Sequence, residues 1–186
     1  MAWTLPNILT WLRIIAVPLV VVLFYLPHKW ADAFAAILFA AASITDSLDG
    51  YLARRMGLTS RLGAFLDPVA DKLIVAVALV LLVSKDRHFV VVVSACVIIG
   101  REIAISALRE WMAEQGERTR VAVSKLGKVK TILQMVGLSC MLYRLPLLGL
   151  DVYRIGLYLT VAATVLTLWS ALLYLKAAWP VLSAPE

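Results

Sequence analysis

The chain has 186 residues, of which 62% are hydrophobic and only 16% are charged. Soluble domains contain about 45–50% apolar and about 25% charged residues, so this composition excludes an ordinary water-soluble globule and indicates a membrane protein. The net charge of +6 predicts basic segments outside the lipid core and anionic partners. Cys96 and Cys140 are the only cysteines and each lies in an apolar run, which excludes a disulfide scaffold.

The predicted elements begin with residues 1–12, where apolar and polar side chains alternate. This pattern suits either a short interfacial helix or an extension of the first span. Six apolar segments follow; several are shorter than the roughly 20 residues that a spanning helix needs, so each span must include polar flanking residues. The segments cover residues 14–27, 33–48, 73–84, 89–105, 131–150 and 155–175. The expected fold is an all-α polytopic membrane protein with six transmembrane helices plus a short amino-terminal interfacial helix, in a single domain over residues 1–186.

The distribution of lysine and arginine predicts the orientation of these spans. With six spans both termini lie on one side, and that side carries the larger number of basic residues. The positive-inside rule therefore predicts cytoplasmic termini and cytoplasmic loops near residues 53–66 and 106–130.

Four aspartates lie at the ends of the second and third spans: Asp46, Asp49, Asp67 and Asp71. A charged residue at membrane depth costs about 2.5–3.5 kcal/mol on insertion scales, and such residues are functional by default. If the segments are helical, Asp46 and Asp49 share one face, and Asp67 and Asp71 share another. Because the second span descends and the third ascends, a short cytoplasmic turn is expected to bring the two faces together.

A cluster of four carboxylates requires cations. Two like charges about 4 Å apart repel by about 4 kcal/mol at an effective dielectric of 20. Oxygen ligands favour Mg²⁺, Mn²⁺ or Ca²⁺ over Zn²⁺. The sequence thus predicts a divalent-metal site, and it leaves open whether Pro68 begins the third helix after an Asp67 cap or lies within a longer helix.

The acidic residues belong to a longer pattern, Asp46-x2-Asp49-Gly50-x2-Ala53-Arg54-x8-Gly63-x3-Asp67-x3-Asp71. This string resembles the signature of the CDP-alcohol phosphotransferase family, with every fixed position filled. The resemblance implies a six-helix integral membrane enzyme, usually a homodimer, that transfers a phosphatidyl or similar group from a CDP-linked donor to an alcohol and releases CMP.

The resemblance also implies roles for individual residues. Asp46, Asp49 and Asp67 match the metal ligands, and Asp71 matches both a ligand of a second metal ion and the catalytic base. The cofactor implied is a pair of divalent ions, Mg²⁺ or Mn²⁺. The positions that match contacts to the cytidine and diphosphate of the donor are Gly50, Ala53, Arg54 and Gly63. The residues alone support two interpretations of Arg54: a contact to a phosphate next to the metal, or a positive anchor at the membrane surface.

Three further blocks resemble the branch of the family that uses sn-glycerol 3-phosphate as acceptor. They cover residues 6–10 with Arg13, residues 100–111, and residues 124–134. The reaction implied is CDP-diacylglycerol plus sn-glycerol 3-phosphate giving phosphatidylglycerophosphate and CMP. The expected location is the bacterial cytoplasmic (inner) membrane, with the active site on the cytoplasmic side, contacts to membrane lipids and no nucleic-acid partner.

Basic residues near the second cytoplasmic loop are candidates for an anionic acceptor. Arg109, Lys128 and Lys130 lie nearest the predicted helix ends and are the acceptor-phosphate candidates, although topology signalling and attraction to lipid headgroups explain such residues as well. Asn7 and Thr10 are candidate donor contacts, with capping and membrane anchoring as the alternative. Arg101 and Glu102 are expected to form an internal pair within the fourth span.

Two alternative functions remain at this point. Another member of the same family would use inositol phosphate, serine or a lipid alcohol as acceptor. A cation transporter would place such acids near the membrane midplane, often within inverted repeats, whereas these acids flank a basic turn and no repeat is visible. The sequence therefore favours the phosphatidyltransferase.

Overall fold

The structure is a computed structural model that describes residues 5–56, 61–116, 125–147 and 149–183. The described residues form six α-helices and no β-strand apart from a single bridge between Leu147 and Leu150. In chain order the helices are α1 (Leu5–Tyr25), α2 (Lys29–Met56), α3 (Arg61–Lys85), α4 (Phe89–Glu114), α5 (Lys125–Tyr143) and α6 (Val152–Leu182). The predicted all-α fold with six long elements is confirmed.

The amino-terminal segment differs from the expected interfacial helix. From Leu5 onward the chain is one continuous helix to Tyr25, so the described residues contain no separate helix before the first span. This arrangement matches the alternative, an extension of the first span. The helix ends just before Leu26, because Pro27 disfavours a helical conformation in the residue that precedes it.

The helices around the aspartates are longer than their apolar segments. The second segment was expected over residues 33–48 but α2 runs to Met56, and the third was expected over 73–84 but α3 begins at Arg61. Hydropathy marks only the part of a helix that suits lipid, whereas backbone hydrogen bonding continues into polar sequence. The predicted loop over residues 53–66 is therefore mostly helix where it is described.

The fifth helix is shorter than predicted. Residues 131–150 were expected to be one span, but α5 ends at Tyr143 because Arg144 adopts a left-handed conformation, with φ of 55°. The backbone N–H and C=O groups of Leu147 and Leu150 then bond to each other in a tight turn, and Gly149 has a φ of 78°. Asp151 caps α6 by accepting a 3.1 Å hydrogen bond from the Arg154 backbone N–H.

The most extensive helix pair is α5 with α6, and it depends on two glycines. A Cβ added to Gly137 would lie 2.6 Å from Thr160 Oγ1, and a Cβ added to Gly156 would lie 2.6 Å from the carbonyl oxygen of Gly137. Small residues allow helix backbones to approach this closely in membrane proteins. The contact holds the carboxyl-terminal half of α5 against α6.

The main core is formed by apolar side chains of α1 to α5, with Phe24, Phe39 and Leu82 completely buried. A smaller cluster joins α4 to α6 through Ile105, Met112, Tyr174 and Ala178. Many large apolar side chains are exposed on the outside of the bundle, which suits a surface covered by lipid. Among the described residues, three helices are long and apolar enough to span a membrane: α1, α4 and α6.

Candidate active site

The signature residues occupy two consecutive helices. Residues 46–56 form the last turns of α2, and residues 61–71 form the first turns of α3, so the helical spacing assumed for the aspartates is correct. Pro68 lies inside α3 and not at its start, which decides between the two possibilities left open by the sequence. The proline lacks an N–H and so leaves a carbonyl one turn earlier without its usual helical donor.

Several predicted site side chains lie outside the part that the structure describes. These are the side chains of Asn7, Asp46, Asp49, Gly50, Ala53, Arg54 and Lys128. Among the described side chains, no group of three or more His, Cys, Asp or Glu residues lies close enough to hold a metal ion. The roles assigned to these seven positions, and the four-carboxylate cluster as a whole, therefore stay predictions.

Asp67 connects α3 to α1. Its carboxylate is half-buried and accepts a hydrogen bond of 2.5 Å from the hydroxyl of Thr10. Thr10 is only 1% exposed, and Arg13, one turn further along α1, is equally buried. Thr10 thus contacts a predicted metal ligand, and Gly63, on the same helix as Asp67, is buried as well.

Asp71 lines a cavity between α3, α4 and α5, with a volume of about 150 Å³. One part of the cavity wall is polar and the other is aliphatic. The polar or charged lining residues are Asp71, Lys72, Glu102, Lys130, Thr131 and Gln134, and the apolar ones are Val75, Ala76, Ile98, Ile99, Ile103 and Met135. The structure therefore brings the predicted base, Asp71, together with one predicted acceptor-phosphate residue, Lys130.

Lys130 is a buried cation that faces this cavity. Its side chain is only 5% exposed, and it makes no hydrogen bond or ion pair with any residue that the structure describes. The charges of Arg101 and Glu102 act on it from α4. A buried ammonium group without a direct partner is costly, and a bound anion in the cavity would lower that cost.

Arg101 and Glu102 form the predicted internal pair, with 3.0 Å between Arg101 Nη1 and Glu102 Oε2. A second guanidinium nitrogen of Arg101 lies 3.5 Å from the Ser170 hydroxyl, and the guanidinium lies over the ring of Tyr174. Arg101 is thereby held against α6, while Glu102 reaches the cavity wall.

Arg109 lies apart from this cavity. Its side chain is exposed on α4, and it does not belong to the residues that line the space around Asp71. The structure describes the side chains of two of the three cations proposed for the acceptor phosphate, Arg109 and Lys130. Of these two, only Lys130 lines the cavity with Asp71.

Four lining residues carry polar groups that sequence reasoning did not assign to the site: Lys72, Glu102, Thr131 and Gln134. Lys72 and Glu102 did give a signal, since ionisable residues within apparent spans are unusual. Thr131 and Gln134 belong to the block over residues 124–134 that resembles the glycerol-3-phosphate branch, but no role was assigned to them, because neutral polar residues at a helix end are common in any membrane protein.

The described donor set suits a hard cation. Asp67 and Asp71 lie four residues apart on α3 and offer carboxylate oxygens, while Thr10 hydrogen-bonds one of the two. Oxygen ligands with an outer hydrogen-bonding partner are typical of Mg²⁺ and Mn²⁺ sites. Asp71 on α3 and the buried Lys130 on α5 line the cavity, and Asp67 lies one helical turn before Asp71. A cavity with these groups suits a small anion that bears hydroxyl groups.

The comparisons with known proteins agree with this chemistry. The family profile described as CDP-alcohol phosphatidyltransferase matches residues 3–172. A protein from Salmonella choleraesuis (strain SC-B67), named CDP-diacylglycerol--glycerol-3-phosphate 3-phosphatidyltransferase, is 51% identical over 178 residues, which is 96% of each chain. Proteins of the same name from Shigella flexneri serotype 5b (strain 8401) and Escherichia coli (strain K12) are 51% and 50% identical over the same share of each chain. A profile that matches almost the whole chain and relatives at this identity show that the chain belongs to the CDP-alcohol phosphatidyltransferase family.

Proposed function

We propose that this protein is a phosphatidylglycerophosphate synthase, which transfers the phosphatidyl group of CDP-diacylglycerol to sn-glycerol 3-phosphate and releases CMP. The relatives that carry this activity in their names are about half identical over nearly the full chain. The observation that carries the proposal is the cavity that Asp71 and the buried Lys130 line together. An acceptor for such a site needs both a hydroxyl and a negative charge, and glycerol 3-phosphate has both.

The proposed reaction is a direct displacement at phosphorus. The primary hydroxyl of the acceptor attacks the donor phosphorus that bears the diacylglycerol group. The new O–P bond forms as the O–P bond to CMP breaks, and CMP leaves with the electron pair. Asp71 accepts the proton of the attacking hydroxyl. Two carboxylates line the cavity, Asp71 and Glu102, and Glu102 is paired with Arg101 at 3.0 Å.

Lys130 holds the acceptor phosphate in this proposal. A charge-assisted hydrogen bond from its ammonium group would orient the acceptor and neutralise part of its charge. Arg109 and Lys128 stay proposed contacts, with less support than Lys130. Gly50, Ala53, Arg54, Gly63, Asn7 and Thr10 are proposed to surround the donor, and Thr10 is supported by its bond to Asp67.

The proposed cofactor is a pair of divalent ions, Mg²⁺ or Mn²⁺, held by Asp46, Asp49, Asp67 and Asp71. When bound, such ions supply positive charge to the diphosphate oxygens of the donor and to the leaving CMP. Thr10 fixes the orientation of Asp67 by donating to one of its oxygens.

We also propose that all six helices span the bacterial inner membrane, with both termini and the active site in the cytoplasm. Besides the three long apolar helices, α2 and α5 contain the apolar stretches Trp30–Thr45 and Val129–Tyr143. The site residues lie toward one end of α2, α3 and α5, as expected for chemistry at a membrane surface. The chain is proposed to act as a single domain and as a homodimer.

The acceptor assignment is tested by offering each candidate alcohol separately. Purified protein is incubated with CDP-diacylglycerol and Mg²⁺ or Mn²⁺, and CMP release is measured with glycerol 3-phosphate, inositol phosphate, serine and a lipid alcohol. We expect CMP only with glycerol 3-phosphate, together with a phospholipid of the mass of phosphatidylglycerophosphate. Faster CMP release with another acceptor would overturn the assignment of glycerol 3-phosphate as the acceptor. No CMP release with any acceptor would overturn the proposed transferase activity.

A further inference from the structure

Gln134 is a buried amide on the wall of the cavity. Its side chain is 7% exposed, and it makes no hydrogen bond with any residue that the structure describes. The cavity that it lines also contains Asp71 and Lys130. A carboxamide has two N–H donors and a carbonyl acceptor, so the Gln134 side chain can both donate to and accept from a ligand in this cavity.

The other polar groups of the wall have partners or carry charge. The Thr131 hydroxyl donates to the Gly127 carbonyl oxygen at 2.9 Å, and Glu102 is paired with Arg101 at 3.0 Å. Among the described lining residues, Gln134 is therefore the neutral polar side chain whose hydrogen bonds are all available to a ligand.

The position of Gln134 relative to Lys130 is set by the helix. The two residues are four apart on α5, so they lie on the same side of it, about 6 Å apart along the axis. Apolar cavities of about this volume hold a molecule the size of benzene, and a three-carbon phosphate ester is of similar size. One acceptor molecule can thus reach both side chains.

We infer that Gln134 determines acceptor specificity by hydrogen-bonding the secondary hydroxyl of glycerol 3-phosphate. The inference rests on the proposed function. If the phosphate binds Lys130 and the primary hydroxyl binds Asp71, the secondary hydroxyl is the polar group of the acceptor that still needs a partner. Gln134 is the lining side chain that matches it, and a carboxamide both donates to and accepts from a hydroxyl.

The test compares two acceptors that differ only in this hydroxyl. Glycerol 3-phosphate and 3-hydroxypropyl phosphate, which lacks it, are offered to the wild-type protein and to Gln134→Leu. The wild type is expected to prefer glycerol 3-phosphate by about 10-fold to 100-fold in kcat/KM, because an analogue that lacks the hydroxyl leaves the amide unpaired. Gln134→Leu is expected to lose this preference, with kcat/KM falling for glycerol 3-phosphate only.

Thermal unfolding gives a readout that does not need turnover. Because the amide has no protein partner, Gln134→Leu is expected to have a Tm without acceptor at least as high as that of the wild type. Glycerol 3-phosphate is expected to raise the Tm of the wild type more than the analogue does. In Gln134→Leu the two acceptors are expected to raise the Tm by the same amount. The matched control is Ile99→Val, an apolar change on the same wall, which should alter both acceptors by the same factor.

Three results would overturn the inference: an unchanged preference in Gln134→Leu, an equal loss with both acceptors, or a large fall in Tm without acceptor. Failure of the proposed function has a different signature. If the wild type releases no CMP with glycerol 3-phosphate, the function is wrong, and the Tm shifts by the two acceptors still decide the role of Gln134. Equal Tm shifts, or none, in the wild type would then overturn that role too.

Discussion

Thr10 and Asp67 lie 57 residues apart in the chain, yet the Thr10 hydroxyl donates a hydrogen bond of 2.5 Å to the Asp67 carboxylate. This bond fixes the first helix against the third at the start of the acidic site. Since Thr10 is almost completely buried, its hydroxyl does not exchange freely between Asp67 and water. The orientation of one predicted metal ligand thus depends on a helix that contributes no carboxylate.

Removing this hydroxyl tests the role of Thr10. Thr10→Val keeps the shape but removes the donor, and a hydrogen bond to a charged group contributes about 1.5–3 kcal/mol. We expect activity to fall by about 10-fold or more and the Mg²⁺ concentration for half-maximal activity to rise, whereas Thr10→Ser should retain both. Equal metal requirements for the Val and Ser variants would show that the bond does not orient a ligand.

Replacing Asp71 tests the proposed base. Asp71→Asn cannot accept a proton, so CMP release is expected to fall by about 100-fold or more. The matched control is Asp151→Asn, the same chemical change at the exposed cap of α6, where asparagine caps a helix as well as aspartate does. Near-normal CMP release by a folded Asp71→Asn protein would eliminate Asp71 as the base.

The proposed contacts of Lys130 and Arg109 to the acceptor phosphate can be tested separately. Lys130→Met removes a buried cation at the cavity, and the KM for glycerol 3-phosphate should rise by about 10-fold to 100-fold. Arg109→Met removes an exposed cation outside the lining, and a much smaller rise is expected. Steady-state kinetics with each substrate varied separately measure both, and the KM for CDP-diacylglycerol is the internal control. A larger rise in this KM for Arg109→Met than for Lys130→Met would show that Lys130 is not the main contact of the acceptor phosphate.

The close contact between α5 and α6 predicts that glycine-to-alanine variants differ in stability according to their position. Gly137→Ala and Gly156→Ala each place a Cβ within 3.0 Å of neighbouring atoms, so the helices must separate. Overpacking of this kind costs about 1–3 kcal/mol, and a lower Tm in detergent is expected. Gly100→Ala is the control, because its added Cβ meets nothing within 4 Å and alanine favours the helix. A Tm for Gly137→Ala equal to that of Gly100→Ala would contradict this packing.

The turn between α3 and α4 predicts an acid-sensitive contact. Burial by itself would raise the pKa of Asp86, but hydrogen bonds from Tyr153 and from the backbone and side chain of His88 lower that pKa below its ordinary value. The stability that ionised Asp86 contributes is therefore fully present above about pH 4 and is lost as the pH falls through the lower, folded-state pKa.

This contact is measured by the Tm in detergent between about pH 6 and pH 3. Asp86→Asn should lower the Tm near neutral pH and reduce its further fall in acid, because the titrating group is gone. The exposed Asp151→Asn variant should keep the full acid dependence. If the curves for the wild type and Asp86→Asn run parallel, Asp86 does not control this transition.

Much of this architecture is determined by local sequence. Six apolar segments, several of them shorter than a full span, marked the six helices, and the spacing of Asp67 and Asp71 predicted one helical face. Both depend on residues within a few turns of each other. The boundaries were less certain. Hydropathy did not show that α2 and α3 continue into polar sequence, that Pro68 lies inside α3, or that Arg144 ends α5 through its left-handed backbone.

The sequence by itself determined the membrane setting, the all-α class, the acidic signature and, through them, the family. Only the tertiary structure decided which side chains meet: Thr10 with Asp67, and Lys130 and Gln134 with Asp71 around one cavity. The physical reason is that periodicity and charge spacing act within a helix, over a few residues. The lining of a cavity between α3, α4 and α5 depends instead on how three helices rotate and pack, and residues far apart in the chain jointly set that geometry.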